Sequence, residues 1–294
     1  QVLMLDLINP PANFQKKYGI LNKSGIDDYE LRKIISSLKR KKIKDIDTAI
    51  SYKNVDNLLG RSKIKNLKIY SKIPKLPKNC KNIKKWVNDQ VSKSKNKLNI
   101  KKFEGFYFHN PSDLLLKQGA ELYENLERLK KKGIVNKIGI SVYEFSMYEK
   151  INKDFKMDMV QIPLNILDRR INLKKISKIA KKQKVEIHVR SIFLQGILLK
   201  EKNQIPSYFS KWNKILSKWN KWCLENKLSK LQACVNFVFD NKIADKIIIG
   251  IKNIKEFEEI IKCIEKKSKK YPKNLFSKDL GLIDPRRWPN AQKN

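Results

Sequence analysis

Short apolar runs alternate with longer segments of helical periodicity along the chain. The apolar runs predict eight β-strands, at 2–8, 43–47, 67–73, 103–109, 137–141, 158–162, 185–191 and 246–250. Between them, apolar residues spaced by three and four predict helices, of which the clearest lie at 28–42, 82–98, 119–133 and 253–267. Repeated strand–helix units of this kind are typical of a parallel sheet covered by helices.

Eight such units in 294 residues favour an α/β fold, a single-domain (β/α)8 TIM barrel, over the alternative of an open doubly wound sheet. No glycine-rich G-x-G-x-x-G follows the first strand, which argues against a dinucleotide site of the Rossmann kind. We expect one domain over residues 1–294, with a helical insertion after strand seven around 200–228 and a C-terminal tail at 271–294. The active site of such a barrel lies at the C-terminal ends of its strands.

One aromatic pattern falls inside the expected insertion. Apolar residues spaced four, three, four and three apart form a single helix stripe, made of Tyr208, Trp212, Ile215, Trp219 and Trp222. We interpret this stripe as packing on the barrel rather than as substrate contact, although a segment after strand seven could also cover the site.

Charge is the most conspicuous feature of the composition, with 66 Lys and Arg against 29 Asp and Glu and a formal net charge of +37. Such a balance is compatible with nucleic-acid binding. However, only nine of these basic residues are arginine, the side chain best suited to phosphate and base contacts. Lysine, isoleucine and asparagine are enriched together, as codon drift in an AT-rich genome would produce. We therefore predict no specific nucleic-acid partner, and keep a lysine-rich nucleic-acid-associated protein as an alternative.

Other features bound the class of protein. No run of about 18 apolar residues could cross a bilayer, and the N-terminal VLMLDLI is too short for a signal peptide, so we expect no membrane association. Four widely spaced cysteines form no C-x-x-C pair, so we expect no metal site and reduced thiols in a cytoplasmic protein. Oligomeric state is not indicated.

Four polar residues are expected to meet at one rim of the barrel. Asp47 ends strand two, Tyr52 follows it, Lys72 lies near the end of strand three and His109 ends strand four. An ammonium beside a phenol favours its ionised form and makes it a better proton donor or acceptor, while a carboxylate can hold that ammonium in place. An imidazole beside the phenol can donate a hydrogen bond to a substrate carbonyl oxygen.

These residues also carry a resemblance to the aldo-keto reductase family, which runs nearly end to end. The similar stretches are DIDTAISYKNVDNLLG, YSKIP, FYFHNP, KKKGIVNKIGIS, VQIPLNILDRR, VRSIFLQGILL and KIIIGIKNIKEFEE. The resemblance implies an oxidoreductase that interconverts a small-molecule carbonyl and alcohol. It also implies that Asp47, Tyr52, Lys72 and His109 form the catalytic tetrad, with Tyr52 as the proton donor.

The same resemblance implies a nicotinamide cofactor, NADP(H) by family habit with NAD(H) possible. Ser141 and Gln161 match residues that bind the nicotinamide carboxamide, and Arg190 matches the position that stacks on its ring. The remaining matches follow the pyrophosphate and the adenosine phosphate end, at Ser191, Phe193, Gly250, Lys252 and Asn253. On strand seven, Glu186, His188 and Arg190 share one face. We interpret Glu186 and His188 as polar packing inside the barrel, and only Arg190, nearest the rim, as functional.

The chain departs from the family pattern at several positions. Pro10-Pro11-Ala12 replaces a Gly-Thr-Ala, Val142 replaces an asparagine after Ser141, and Lys53 replaces the glycine after Tyr52. Glu258 aligns with an arginine that often grips a 2′-phosphate. Since proline has no backbone N–H, we expect weakened cofactor affinity. The departures motivate a second alternative, a catalytically weakened barrel that acts as a ligand-binding or regulatory subunit.

Overall fold

A computed structural model describes residues 2–6, 27–52, 54–62, 64–251, 253–264, 271–272 and 274–289. Parallel strands close into a barrel in sequence order, with the first strand pairing with the last. The strands are β1 (Val2–Asp6), β2 (Asp45–Asp47), β3 (Lys68–Ile73), β4 (Phe103–Phe108), β5 (Val135–Ser141), β6 (Met159–Pro163), β7 (Glu186–Arg190) and β8 (Lys246–Gly250). The prediction of a single-domain (β/α)8 barrel is confirmed.

Helices cover the outside of this barrel. In the described residues they are α1 (Asp28–Arg40), α2 (Val55–Gly60), α3 (Ile83–Leu98), α4 (Gly119–Lys131), α5 (Phe145–Ile151), α6 (Leu173–Gln183), α7 (Asn213–Glu225), α8 (Lys230–Asp240), α9 (Ile254–Ile264) and α10 (Leu280–Ile283). None of the described helices is long and apolar enough to cross a membrane.

Polar caps fix where several helices begin. The side chain of Asp27 accepts a hydrogen bond from the backbone N–H of Glu30 at 2.7 Å, and Asn82 does the same for Lys85 at 2.8 Å. Each cap satisfies a backbone donor that the first helical turn leaves without an intrahelical partner. The caps therefore set the positions at which α1 and α3 start after their strands.

Side chains fill the interior of the barrel. Met4, Tyr70, Tyr107, Met159 and Ile248 form a buried cluster from five different strands. Gly105 on β4 gives them room: a Cβ there would lie 2.5 Å from Met159 Cε and from Tyr70 Cδ1, so these side chains would have to shift. The barrel is thus a packed core rather than a pore, and ligands must bind at its rim.

The segment between β7 and β8 contains short 3-10 helices at Ile197–Leu199, Lys202–Gln204 and Ser207–Trp212, then α7 and α8. The predicted aromatic stripe is divided by the change from 3-10 to α-helix after Trp212. Its first part packs on the C-terminal segment, where Tyr208 Oη donates to the Gly281 carbonyl at 3.0 Å and Trp212 Nε1 donates to Asp279 at 2.8 Å. Trp219 Nε1 donates to the Leu198 carbonyl at 3.0 Å, so the stripe is a packing surface.

Candidate active site

A buried ion pair lies at the carboxyl ends of two neighbouring strands. Asp47 is the last residue of β2 and Lys72 the next to last of β3, and their side chains are only 1% and 3% exposed. Lys72 Nζ donates to Asp47 Oδ2 and, at 2.9 Å, to the backbone carbonyl of Thr48. An ammonium and a carboxylate are tolerated at this depth because each is paired and hydrogen-bonded.

Two further polar side chains extend this pair toward β5 and β6. Gln161 Nε2 donates to Asp47 Oδ1 at 3.2 Å, and Ser141 Oγ donates to Gln161 Oε1 at 3.1 Å. All of these groups are buried, so the chain of hydrogen bonds fixes the orientation of the amide as well as that of the carboxylate.

Tyr52 lies close to the ion pair. Its backbone N–H donates to the Ala49 carbonyl at 2.9 Å, which closes a tight turn after β2. Lys72 Nζ is 5.7 Å from the centroid of the half-buried Tyr52 ring. The phenol is therefore held close to an ammonium whose own position is fixed by Asp47.

His109 follows β4 on the other side of Lys72. Its backbone N–H donates to the Ile73 carbonyl at 3.2 Å, and the residue is exposed within the pocket, whose walls exclude part of the bulk solvent. This partial loss of bulk solvent, together with the positive charges of Lys72 and Arg190, lowers the pKa of His109 from 6.5 to about 4. The imidazole is therefore neutral at physiological pH and can donate one ring N–H.

A second histidine lies beneath the site and serves a structural role. His188 is fully buried; its Nε2 lies 3.2 Å from Glu186 Oε2, and its Nδ1 is hydrogen-bonded to Tyr107 Oη. Burial lowers the pKa of His188. Burial opposes the charge of Glu186, but hydrogen bonds from His188 and Lys137 outweigh it and lower its pKa to about 2. Both residues point into the barrel interior, as expected for polar packing.

A pocket of about 1190 Å³ opens over these residues. Its lining includes all four members of the predicted tetrad, Asp47, Tyr52, Lys72 and His109. It extends across the rim over β7 and β8 to the first turns of α9, with α7 and the start of α8 on the other wall. Its volume lies above the usual range for drug-sized ligands, so it has room for a substrate and a larger second ligand together.

Most of the predicted cofactor positions line this same pocket. They are Ser141, Gln161, Arg190, Ser191, Phe193 and Gly250. The side chain of Asn253 instead caps α9, accepting from the backbone N–H of Glu256 at 2.9 Å, and it is not part of the lining. Lys252, Lys53 and the Pro10-Pro11-Ala12 stretch lie outside the described residues. Val142 turns its side chain into the core, 1% exposed, and supplies only backbone groups to the rim.

The far end of the pocket is acidic among the described residues. Glu256 and Glu259 of α9 line it, whereas Glu258 is exposed and does not. Glu30 of α1 adds a carboxylate beside them, since its Oε1 accepts from the backbone N–H of Ile254 at 2.6 Å. On α9, the carboxylates that line the pocket are therefore Glu256 and Glu259, and not Glu258, the residue that the family resemblance indicated.

Sequence reasoning missed two residues at the near end. Tyr143 follows β5 and Arg286 lies in the 3-10 helix Pro285–Arg287 near the C-terminus, and both line the pocket. The guanidinium carbons of Arg190 and Arg286 lie 4.1 Å and 3.8 Å from the centroid of the Tyr143 ring. The sequence alone could have indicated Tyr143, because it follows Ser141-Val142 directly. It could not have indicated Arg286, because the contact joins positions 143 residues apart.

The family model of the aldo/keto reductase family matches residues 16–274, which is most of the chain. The chain belongs to the aldo/keto reductase family. Membership supports an oxidoreductase that acts on a carbonyl/alcohol pair, in a family that generally uses nicotinamide dinucleotides. The resemblance stated from the sequence is thereby confirmed.

Solved structures of the same fold agree with this assignment. An aldo-keto reductase from Bacillus halodurans superposes with a TM-score of 0.68 at 18% identity, covering 84% of each chain. A glycerol dehydrogenase from Gluconobacter oxydans gives a TM-score of 0.66 at 18% identity, covering 91% of this chain and 87% of its own. At this identity the likeness shows the fold alone. No curated protein matches the chain.

Proposed function

We propose that the protein interconverts a carbonyl and an alcohol with a nicotinamide dinucleotide, and that Tyr52 is the proton donor in the direction of reduction. The observation that carries the proposal is the buried Asp47–Lys72 pair, placed 5.7 Å from the Tyr52 ring centroid in the pocket that His109 also lines. Desolvation of two buried charges can cost more than their attraction returns, so a buried ion pair is weak evidence for a stabilising role. Here the Lys72 ammonium lies beside the phenol of Tyr52, which would otherwise be a weak acid.

The proton transfer follows from this arrangement. Tyr52 Oη gives its proton to the substrate oxygen as that oxygen gains negative charge. The ammonium of Lys72 then stabilises the phenolate that remains, and Asp47 holds Lys72 in place while keeping the pair neutral overall. In the oxidising direction, the same phenolate accepts the proton of the alcohol.

His109 orients the substrate for this step. Because its imidazole is neutral above about pH 4, it can donate one hydrogen bond to the substrate oxygen without competing with Tyr52 as an acid. A neutral donor next to the phenol also leaves the ammonium of Lys72 as the nearest positive charge. The substrate oxygen would then lie between the phenol and the imidazole.

The pocket residues fit a nicotinamide dinucleotide. Ser141 and Gln161 present a hydroxyl and an amide to the pocket, complementary to a carboxamide, and they are joined to Asp47 by the hydrogen bonds described above. Ser191 and Phe193 line the path from there toward β8 and α9. When bound, the reduced nicotinamide would supply a hydride to the carbonyl carbon.

We propose that both NADP(H) and NAD(H) are accepted, with NADP(H) favoured by no more than about tenfold. Lys252 matches the adenosine phosphate end of the family pattern, and one surface ion pair with a 2′-phosphate contributes about 1 kcal/mol or less. Glu256 and Glu259 on the described wall oppose a 2′-phosphate by a similar amount, so the two effects largely offset one another.

The experiment is reduction of a panel of aldehydes by the wild type and by Tyr52→Phe, with cofactor binding measured separately by quenching of tryptophan fluorescence. We expect turnover to fall at least about a hundredfold while the cofactor dissociation constant changes little, since the phenol acts in the proton step. Tyr29→Phe is the matched control, because Tyr29 lies on α1 with 67% of its surface exposed.

Unchanged turnover in Tyr52→Phe would refute its role as proton donor. Failure of the wild type to bind either dinucleotide at about millimolar concentration would support the alternative of a ligand-binding or regulatory barrel. The replacement of an asparagine by the buried Val142 favours that alternative, because one side-chain hydrogen bond contributes about 1 kcal/mol.

A further inference from the structure

Two arginines converge on one aromatic ring at the near end of the pocket. The guanidinium carbons of Arg190 and Arg286 lie 4.1 Å and 3.8 Å from the ring centroid of Tyr143, and all three residues line the pocket with His109. Cation–π contact offsets part of the repulsion between the two cations. It leaves their N–H groups free to face a ligand.

The hydrogen bonds of these guanidinium groups are incomplete. Arg190 donates to Ser191 Oγ at 3.1 Å and to the Val142 carbonyl at 3.3 Å, and it forms no ion pair with a carboxylate in the described part of the chain. Arg286 donates to Asp284 through Nε at 2.9 Å and Nη2 at 2.6 Å. Because a guanidinium carries five N–H donors, each arginine retains donors without a partner among the described residues.

Arg286 is held by a rigid buried support. Asp284 is only 1% exposed and also pairs with Arg170, whose Nη1 lies 3.5 Å from its Oδ2. Arg170 is fixed in turn by Asp168, with an Nη2–Oδ2 distance of 2.9 Å. The side chain of Arg286 nevertheless remains 55% exposed. A guanidinium held by buried partners yet open to the pocket is suited to planar, bidentate recognition of an oxyanion.

The local charges favour an anion at this position. Lys72 is neutralised by Asp47, and the low pKa of His109 keeps that ring neutral. Asp284 and the exposed Glu144 of the pocket wall offset part of the charge of Arg286, although Glu144 forms no ion pair within 4 Å in the described residues. Arg190 has no such carboxylate partner there. The opposite end of the pocket, with Glu256 and Glu259, has the reverse sign, so an anionic group is directed toward Arg190 and Arg286.

We propose that Arg190 and Arg286 bind an oxyanion, a carboxylate or a phosphate, carried by the carbonyl or alcohol substrate. This rests on the proposed function of the site. The position distinguishes such a group from the diphosphate of a dinucleotide. Arg190 is also the residue predicted to stack on the nicotinamide ring, so it would lie between the two ligands. Tyr143 and Arg286 lie on its β5 side, whereas the other predicted cofactor residues continue toward β8.

The first test compares 4-carboxybenzaldehyde with its neutral amide, 4-carbamoylbenzaldehyde, at fixed ionic strength. D-glyceraldehyde 3-phosphate and D-glyceraldehyde form a second pair that separates phosphate from carboxylate. We expect the wild type to favour one anionic member in kcat/KM, and Arg286→Gln to reduce that preference by about tenfold to a hundredfold, the scale of charge-assisted hydrogen bonds. Arg286→Lys keeps the charge next to Asp284 and should lose the preference in part.

Arg287→Gln is the matched control, because Arg287 is the exposed neighbour in the same 3-10 helix, is not part of the pocket lining and changes the net charge equally. We expect it to leave the preference unchanged, which separates a local site from the general attraction of a chain with a net charge of +37. Equal use of charged and neutral members by the wild type, or an equal effect of both variants, would overturn the proposal.

Calorimetric titration with benzoate and benzamide provides a readout that needs no turnover. Benzoate should bind more tightly than benzamide, and Arg286→Gln should abolish the difference while Arg287→Gln preserves it. Absence of the difference in the wild type counts against the oxyanion site even if the protein reduces aldehydes. Its presence supports the site even if no aldehyde is reduced, so the two proposals fail separately. Weaker binding of dinucleotide in Arg286→Gln, with the substrate preference intact, would assign the arginine to the cofactor instead.

Discussion

Removal of one member of the Asp47–Lys72 pair should destabilise the protein far more than removal of both. Lys72→Met leaves the Asp47 carboxylate buried with the hydrogen bond from Gln161 Nε2 at 3.2 Å but without its ammonium partner. Asp47→Asn leaves the Lys72 ammonium buried with the Thr48 carbonyl at 2.9 Å and no carboxylate. Each single variant therefore buries a charge without its counter-ion.

The size of the effect follows from the depth of the pair. Breaking a buried ion pair costs about 3–5 kcal/mol, whereas replacing both partners by neutral groups of similar size is often nearly neutral. With side chains 3% and 1% exposed, solvent cannot replace the missing partner. We expect about 3–5 kcal/mol for each single variant and less than about 2 kcal/mol for the double variant.

Urea unfolding followed by circular dichroism measures these differences. The matched control is the exposed pair Lys221–Glu225, at 3.7 Å with side chains 75% and 59% exposed, for which we expect about 0.5 kcal/mol or less. All three variants at the buried pair should lose turnover, since Lys72 no longer stands beside Tyr52 or is no longer held there. Single variants that cost less than about 1 kcal/mol, or a double variant equal to the sum of the singles, would refute the account of a desolvated and coupled pair.

Three further predictions concern pH, cofactor and charge. Between about pH 6.5 and 4 the unfolded chain takes up a proton at His109 that the folded chain does not, so the free energy of unfolding falls as the pH falls. In urea titrations, His109→Gln should remove that part of the loss, and an unchanged pH dependence would contradict this prediction. Glu256→Gln should strengthen NADPH binding relative to NADH by about threefold to tenfold in fluorescence titrations. Glu258 is exposed and outside the pocket lining, so Glu258→Gln should have no such effect. An effect of Glu258→Gln alone would show that the family pattern had identified the relevant carboxylate. DNA and RNA should bind without sequence preference at low salt and dissociate by about physiological ionic strength in filter-binding assays, and a sequence-selective complex at about 0.2 M salt would point to a selected basic surface.

The alternation of apolar runs was sufficient to predict the barrel, because its strands are buried on both faces and most of its helices on one; α8, with residues 233–238 all buried, is an exception. The boundaries of the strands were less visible. β2 begins at Asp45 rather than at position 43, and β5 begins at Val135 rather than at position 137. Strand limits depend on pairing with neighbouring strands, a non-local property that a single segment does not display.

The core of the candidate site was accessible from sequence because strand ends of a parallel barrel meet at one rim. That rule brings Asp47, Lys72 and His109 together without any knowledge of side-chain contacts. The face of α9 that turns to the pocket was harder to predict. Glu256 and Glu259 lie about 60° apart around the helix and share a face, whereas Glu258 lies about 160° from Glu256. The position of Arg286 could not be predicted, since its segment is held at the rim by non-local contacts, among them the buried ion pairs of Asp284 and the hydrogen bonds from Tyr208 and Trp212.

Transfer of deuterium tests the central claim most directly. The purified protein is incubated with an aldehyde substrate and with NADPH or NADH carrying deuterium at C4 of the reduced nicotinamide, and the alcohol is examined by mass spectrometry and NMR. The account predicts one deuterium on the carbinol carbon of the product, formed by the wild type and at least about a hundredfold more slowly by Tyr52→Phe. Alcohol without deuterium on that carbon, or deuterated alcohol formed equally fast by Tyr52→Phe, would contradict it.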